Sequence, residues 1–172
     1  MITLISQVNN LFYGLLSKIG INMFPTINAP TNVKAFLMTI RHCEGTAGPN
    51  GYRMHFGGSL FSSFADHPRK VITKSGYSSS AAGAYQILTR TWDVVKKQIA
   101  LPDFSPESQD KAAVQLIKNR GAYDAILSGD LRLALDRCND EWASLPGSTY
   151  GQPTRSYDQC KAWFKQYGGV IS

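Results

Sequence analysis

"TIRHCEGTAGPNGYRMHFGG", residues 39–58, sets an apolar helical pattern, one carboxylate and a glycine-rich turn side by side. Val33, Phe36, Leu37 and Ile40 mark one face of a helix opening after Pro30, with Thr31 or Asn32 as the expected N-cap. Four residues on, the same face reaches Glu44, and Gly45 supplies the left-handed residue that commonly ends a helix. Glu44 therefore points where a core side chain would. Next, Tyr52, Met54 and Phe56 alternate with Arg53 and His55, and Gly57-Gly58 leads into "SLF", which reads as strand, tight turn and return strand.

Outward from that stretch the chain is mostly helical. "KSGYSSSAAGAYQIL", residues 74–88, is a loop rich in Gly, Ser and Ala, leading into a helix capped by Thr89 with Trp92, Val95 and Ile99 inward. "FSPES" offers Ser105 as N-cap with Pro106 at the first helical position, and Gly121 closes that helix. Leu131, Leu135, Cys138 and Trp142 line one further helical face, ended by "LPG"; Tyr157, Cys160, Phe164 and Tyr167 line the last, ended by Gly168-Gly169. Helices with one small β-hairpin near the start make an α+β pattern.

Residues 2–24 stand apart. Leu4, Ile5, Val8, Leu11, Phe12, Leu15, Leu16 and Ile19 recur at helical spacing against Gln7, Asn9, Asn10 and Ser17, with Lys18 the only charge. Two readings of this amphipathic helix stay open: it packs on the protein's own body, or it meets a membrane surface or partner, although basic residues are missing from its polar face. "PTINAP", residues 25–30, is the linker, giving an expected division into 1–30 and a main domain over 31–172.

The chain has 172 residues, 43% hydrophobic and 17% charged, which suits a single core. Eighteen basic against 12 acidic residues give a net charge of +6 and an isoelectric point near 9.3, favouring a polyanionic partner. The basic residues are scattered, with no arginine-rich arm, so nucleic acid is not expected. No stretch reaches the ~18 consecutive apolar residues of a membrane span, and the N-terminus lacks a secretory signal's basic start and cleavage site. Cys43, Cys138 and Cys160 show no metal spacing and read as buried, reduced thiols. His55 and His67 likewise lack a ligand pattern; no metal is expected. Trp92, Trp142 and Trp163 each fall on an apolar helical face and read as core.

Glu44 carries the chemistry if any residue does. A carboxyl group on an apolar face loses hydration, and at a helix C-terminus it meets the negative end of the dipole, so both effects favour the protonated acid. Such a group can deliver a proton near neutral pH, as cleavage of a glycosidic bond requires.

Glu44-Gly45 after an apolar helix, the glycine-rich "GG.LF", then "DHPRK", "SSAAGAYQIL", "FSPESQD", "RGA" and "WASLPGSTYGQ" resemble, in this order and over Val33 to Gly169, the bacteriophage lambda endolysin family of lytic transglycosylases. "GAYQI" is also similar to the Gly-x-x-Gln signature of the wider lysozyme-like superfamily. The resemblance implies a lysozyme-like α+β fold, mostly helical with a small β-hairpin subdomain beside a catalytic cleft. It implies cleavage of the β-1,4 bond between N-acetylmuramic acid and N-acetylglucosamine in peptidoglycan, by one Glu, without metal or cofactor. The family's catalytic Glu matches Glu44, its Tyr-Gln pair matches Tyr85 and Gln86, and "YGQ" matches Tyr150, Gly151 and Gln152. Tyr85, Gln86, Tyr150 and Gln152 are thus candidate sugar contacts, since amides and phenols suit sugar hydroxyls and N-acetyl groups.

Hydrolysing phage lysozymes carry an Asp nine residues after the Glu and a Thr six further on; here those places hold Arg53 and Ser59. An inverting hydrolase needs the second carboxylate to activate water, whereas a transglycosylase uses the muramic acid's own C6 hydroxyl. The nearest other acid, Asp66 in "ADHPRK", reads as an Asx turn rather than a catalyst. The leading expectation is a monomeric phage endolysin of 1,6-anhydro product, held in the host cytoplasm until a holin opens the membrane and then acting on peptidoglycan strands in the periplasm. A hydrolysing muramidase on the same scaffold is the alternative, and a non-catalytic wall-binding module is the reading from a different class.

Overall fold

The computed structural model describes residues 24–172; residues 2–23 of the expected N-terminal helix lie outside them. Helix α1, Thr31–Cys43, is the axis of the fold. It buries residues all round, from Val33, Phe36, Leu37 and Ile40 to Ala35, Met38, Thr39 and Arg41, because α6 (Tyr157–Gln166), α4 (Tyr123–Ser128) and α3 (Pro106–Asn119) pack against it. No side chain caps its start. Pro30 occupies the N-cap position, and Asn32, an expected cap, instead donates to the carbonyls of Ile126 (3.0 Å) and Val170 (3.1 Å) and accepts from the Val170 N–H (2.9 Å). That amide stitches the helix entrance to α4 and the C-terminus.

The other helices follow their sequence signals closely. Ser105 caps α3 by accepting from the Ser108 N–H, with Pro106 first in the helix. Ser156 and Gln159 form a reciprocal capping box on α6. Helix α2, Thr89–Gln98, turns Trp92 and Val95 inward as expected, but Thr89 is not its cap: Leu88 stands there, and the Thr89 hydroxyl lies 3.3 Å from His67 Nδ1. Between Gly121 and α5 (Leu131–Cys138), the six-residue α4 is an element the sequence reading passed over.

The regular β-sheet lies later in the chain than expected. Residues 52–61 do reverse at Gly57-Gly58, with an antiparallel bridge between Met54 and Leu60 and N–H donations from His55 to Ser59 (2.7 Å) and from Phe61 to Arg53 (2.9 Å), but the pairing is too short to make strands: 3-10 turns occupy Gly51–Arg53 and Phe56–Gly58, and the Phe56 N–H donates to Ala81. The one two-stranded antiparallel sheet among the described residues pairs β1, Ile72–Lys74, with β2, Tyr77–Ser79. Its two-residue turn, Ser75-Gly76, has φ of 52° and 81°, the double positive φ that a type I′ hairpin turn needs.

The linker is anchored at the body. Thr26 donates to Asp110 Oδ2 of α3 through its N–H (2.5 Å) and its hydroxyl (3.0 Å), and Phe24 meets Tyr167 edge-on. All three cysteines are free and buried. No helix of the described residues is long and apolar enough to cross a membrane.

Candidate active site

Glu44 takes the C-cap position of α1, its N–H donating to Ile40 (2.9 Å), and Gly45 follows with φ of 72°. The chain then turns sharply into Thr46, whose carbonyl accepts from the fully buried Arg41 guanidinium (3.1 Å from Nη2). Gly51 packs on that carbonyl so closely that a Cβ there would stand 1.9 Å from it. The Thr46 hydroxyl lies 2.5 Å from the Ala84 carbonyl, which joins the Glu44 turn to the "GAYQI" loop.

That loop is pinned from three further directions. The buried Gln109 amide accepts from the Ala84 N–H (2.8 Å) and donates to Tyr52 and Phe104 carbonyls. Trp142 Nε1 donates to the Tyr85 carbonyl (3.0 Å), and the Tyr85 hydroxyl donates to Asp110 Oδ1 (2.6 Å). Gly83, at φ 78°, is required: a Cβ would meet Gln109 Oε1 at 2.2 Å. The outcome is a rigid shelf ending at Gln86, a non-glycine held at φ 45°. Strain of this kind persists only where surrounding structure enforces it. Gln86 Nε2 donates to Gly83 (3.0 Å) and Met54 (3.2 Å) carbonyls, which fixes the amide and leaves its Oε1 as the acceptor not used in those bonds.

Glu44 itself is half-buried, and its Oε1 accepts a 2.5 Å hydrogen bond from the Ser144 hydroxyl. Burial raises its pKa from the ordinary value to about 7; the Ser144 bond and the charge of Arg155 pull the other way without cancelling it. Ser144 and Arg155 belong to one unit, since the Arg155 N–H donates to the Ser144 carbonyl (2.8 Å). Trp142 and Leu145, both buried, fix the segment on either side. Neither Ser144 nor Arg155 was singled out from sequence; they lie a hundred residues and more from Glu44, and only the "WASLPG" segment marked their neighbourhood.

The other sequence candidates divide. Tyr85 is fully buried and its hydroxyl is spent on Asp110, so its side chain belongs to the core rather than to the cleft. Gln86 is partly exposed, two residues beyond Ala84, whose carbonyl meets Thr46 of the Glu44 turn. Tyr150, 60% exposed, donates to the Asp140 carbonyl (3.2 Å) and with the exposed Gln152 lines a cavity of about 540 Å³ that also takes in Leu88, Arg90, Asp140 and Ala143. Glu44 is not part of that lining, though Leu88 and Ala143 adjoin the Gln86 and Ser144 segments in the chain.

Asp66 is a structural hub. Its Oδ1 accepts from Trp92 Nε1 (2.8 Å) and Lys96 Nζ (2.9 Å), and its Oδ2 from Arg69 (2.9 Å). Burial alone would raise its pKa, but these donors and the His67 backbone outweigh it and hold the carboxyl well below its usual range. Arg53, nine residues beyond Glu44, donates to the Ser62 carbonyl (2.6 Å) and lies over the Phe64 ring. His67 accepts from the Arg69 N–H at Nδ1, so it is the Nε2–H tautomer that reaches the Ile87 carbonyl. His55 is buried against Phe61. Trp92 and Trp142 are core residues, and Trp163, half-buried, stacks on His42.

Comparison with known proteins shows the family and the fold. The profile of the Endolysin family matches residues 34–171. The chain is similar to the endolysin of Escherichia phage lambda, 47% identical over 80% of this chain and 92% of that protein. It is also similar to the endolysin of Escherichia phage P2, 41% identical over 85% of this chain and 98% of that protein. Among solved structures, bacteriophage lambda lysozyme in complex with a chitohexasaccharide superposes with a TM-score of 0.80, at 44% identity over 86% of this chain and all of that one. A second structure of lysozyme from bacteriophage lambda gives 0.77 at 42% identity, with the same coverage.

Proposed function

The chain belongs to the endolysin family, and from that premise we propose that Glu44 is its single catalytic carboxylate and that the product is a 1,6-anhydro-muramic acid end. The protein is a peptidoglycan-cleaving enzyme of phage lysis. The observation that carries the finer reading is the state of Glu44: an acid at a helix end, held protonated up to about pH 7 by burial and oriented by the Ser144 hydroxyl.

The reaction follows from one proton and two bonds. Glu44 delivers its proton to the leaving O4 of N-acetylglucosamine as the bond to muramic acid C1 breaks. The ionised Glu44 then accepts the proton of the muramic acid C6 hydroxyl as O6 bonds to C1, which restores the acid and consumes no water. Proximity of O6 to C1 within one ring replaces the activation of an external nucleophile. The groups acting on the charge of Glu44 are a hydroxyl and a guanidinium. Asp66, the nearest acid in sequence, is committed to Trp92, Lys96 and Arg69, and Asp110 lies wholly in the core. These placements favour O6 over a water activated by a second carboxylate.

Binding of a chitohexasaccharide by lambda lysozyme supports a cleft for N-acetylated glycan strands here. Gln86, partly exposed at the end of the loop tied to the Glu44 turn through Thr46, is a sugar contact, and Tyr150 and Gln152 extend the surface for further sugar units. Tyr85 supports the cleft through its backbone and the core. The domain over residues 31–172 works as a monomer on the wall, after holin-mediated release from the host cytoplasm, and its net positive charge favours the anionic wall in a salt-dependent way. Mass spectrometry of fragments released from purified sacculi tests the reading. Muropeptides ending in 1,6-anhydro-muramic acid are expected; reducing ends heavier by one water would make the enzyme a hydrolase.

A further inference from the structure

Cys43 is the last residue of α1 and Cys160 lies in the first turn of α6, and their sulfur atoms are 3.6 Å apart, in direct contact. Both are almost wholly enclosed, at 4% and 0% exposure, while the third thiol, Cys138, sits on α5. A disulfide requires the sulfurs to close to about 2.05 Å, a shift of roughly 1.5 Å from where they stand. Side-chain rotation, with a small helix adjustment, would have to supply that much.

We propose that Cys43 and Cys160 are a redox-closing pair that forms an intramolecular disulfide stapling the Glu44 end of α1 to α6. A low-molecular-weight disulfide such as oxidised glutathione is the oxidant. One protein thiolate attacks it and releases one glutathione thiol; the second protein thiolate displaces the other glutathione from the mixed disulfide. The protein loses two protons and two electrons, and two glutathione thiols form. Burial makes the first attack depend on local opening of the α1–α6 contact, so closure is slow in the folded protein and fast during oxidative refolding.

The position gives the bond its significance. Cys43 immediately precedes Glu44, and Arg155, whose charge acts on Glu44, stands just before α6 begins. The staple therefore joins the segment carrying the acid to the segment carrying its neighbouring cation, across a loop of more than a hundred residues. Closing so long a loop restricts the unfolded chain strongly. Because the sulfurs already touch, the active geometry is nearly unchanged and the gain appears as resistance to heat. On the reading that the substrate is the cell wall, the thiols stay reduced where the protein is made and close slowly in the oxidising compartment where it works.

The test uses the full chain, first reduced, then incubated or refolded with oxidised glutathione, and finally denatured and labelled with a maleimide. The reduced protein takes three labels, one for each cysteine. The oxidised monomer is expected to take one, on Cys138, with a mass lower by two hydrogens before labelling and a thermal midpoint higher by roughly 5–10 °C. Cys160→Ser is expected to abolish the closure and Cys138→Ser to leave it intact. Three labels after oxidative refolding, a bridge that includes Cys138, or a disulfide-linked dimer would overturn the proposal. Wall lysis measured on the same oxidised sample keeps the two readings separate: loss of lysis by both redox forms would count against the enzymatic role while leaving the bridge established.

Discussion

Two carboxylates sit in low-polarity surroundings in this molecule and are treated in opposite ways. Asp110, in the core of α3, has no exposed surface; its oxygens accept from the Tyr52 hydroxyl (2.7 Å), the Tyr85 hydroxyl (2.6 Å) and the N–H and hydroxyl of Thr26. Glu44 is half-buried and accepts from one hydroxyl. Burial raises the pKa of both, but around Asp110 four donors hold the acid in place as a clasp between α3, the 52 and 85 segments and the linker. Around Glu44 one hydroxyl and the Arg155 charge oppose the shift without cancelling it, and the carboxyl is partly exposed, so the proton stays available. Where donors saturate a carboxylate the fold gains rigidity, and where they are withheld it keeps a reagent.

The contrast breaks first at Glu44. Glu44→Gln should cost roughly 10²–10⁴-fold in wall lysis while leaving the fold intact, as turbidity clearing and circular dichroism would report. Its stability should equal or exceed that of the wild type above neutral pH. A folded-state pKa raised to about 7 from an ordinary 4.5 means that Glu44 favours the fold fully below 4.5 and loses that contribution as pH rises through 7. Asp110→Ala should act the other way, destabilising by about 3–5 kcal/mol through stranded Tyr52, Tyr85 and Thr26 donors, read from chemical denaturation.

Smaller effects sharpen the comparison. Asp66→Asn should cost about 1–2 kcal/mol, since its ion pairs are partly exposed and screened. The depressed pKa of Asp66 makes its contribution present above the unfolded value of 3.8 and lost as pH falls below it, visible in acid unfolding curves. Gln86→Ala should lower kcat/KM about tenfold with little change in stability, whereas Tyr85→Phe should do the reverse, costing about 1 kcal/mol of stability and little activity. Equal kinetic losses in the two variants would put Tyr85 back in the cleft. Ser144→Ala removes the bond that favours ionised Glu44, so the alkaline limb of the pH–activity profile should move to higher pH.

Glu44 was legible because helical periodicity is local: Ile40 and Glu44 share a face whatever packs on it. Its partners were not, because Ser144 and Arg155 arrive by tertiary folding from another part of the chain. The regular two-stranded sheet lies away from the Gly57-Gly58 reversal for a physical reason as well. Gly57-Gly58 is the stronger turn signal, yet Phe56 pairs with Ala81, while the real turn at Ser75-Gly76 joins short, exposed strands without apolar alternation. Tyr85 reads as a sugar contact because the resembled family's Tyr-Gln pair matches it and a phenol suits sugar hydroxyls. The residue that draws it inward, Asp110, lies in the polar run Ser108-Gln109-Asp110, which reads as a solvated helix face and is buried in full.

The central claim is that burial, opposed by the Ser144 hydroxyl and the Arg155 charge but not cancelled by them, keeps Glu44 protonated where the enzyme works. A carbon-detected NMR titration of the Glu44 side-chain carboxyl in the folded protein measures this directly. The account predicts a midpoint of about 7, rising further in Ser144→Ala; a midpoint at the ordinary carboxylate value near 4.5 would contradict it.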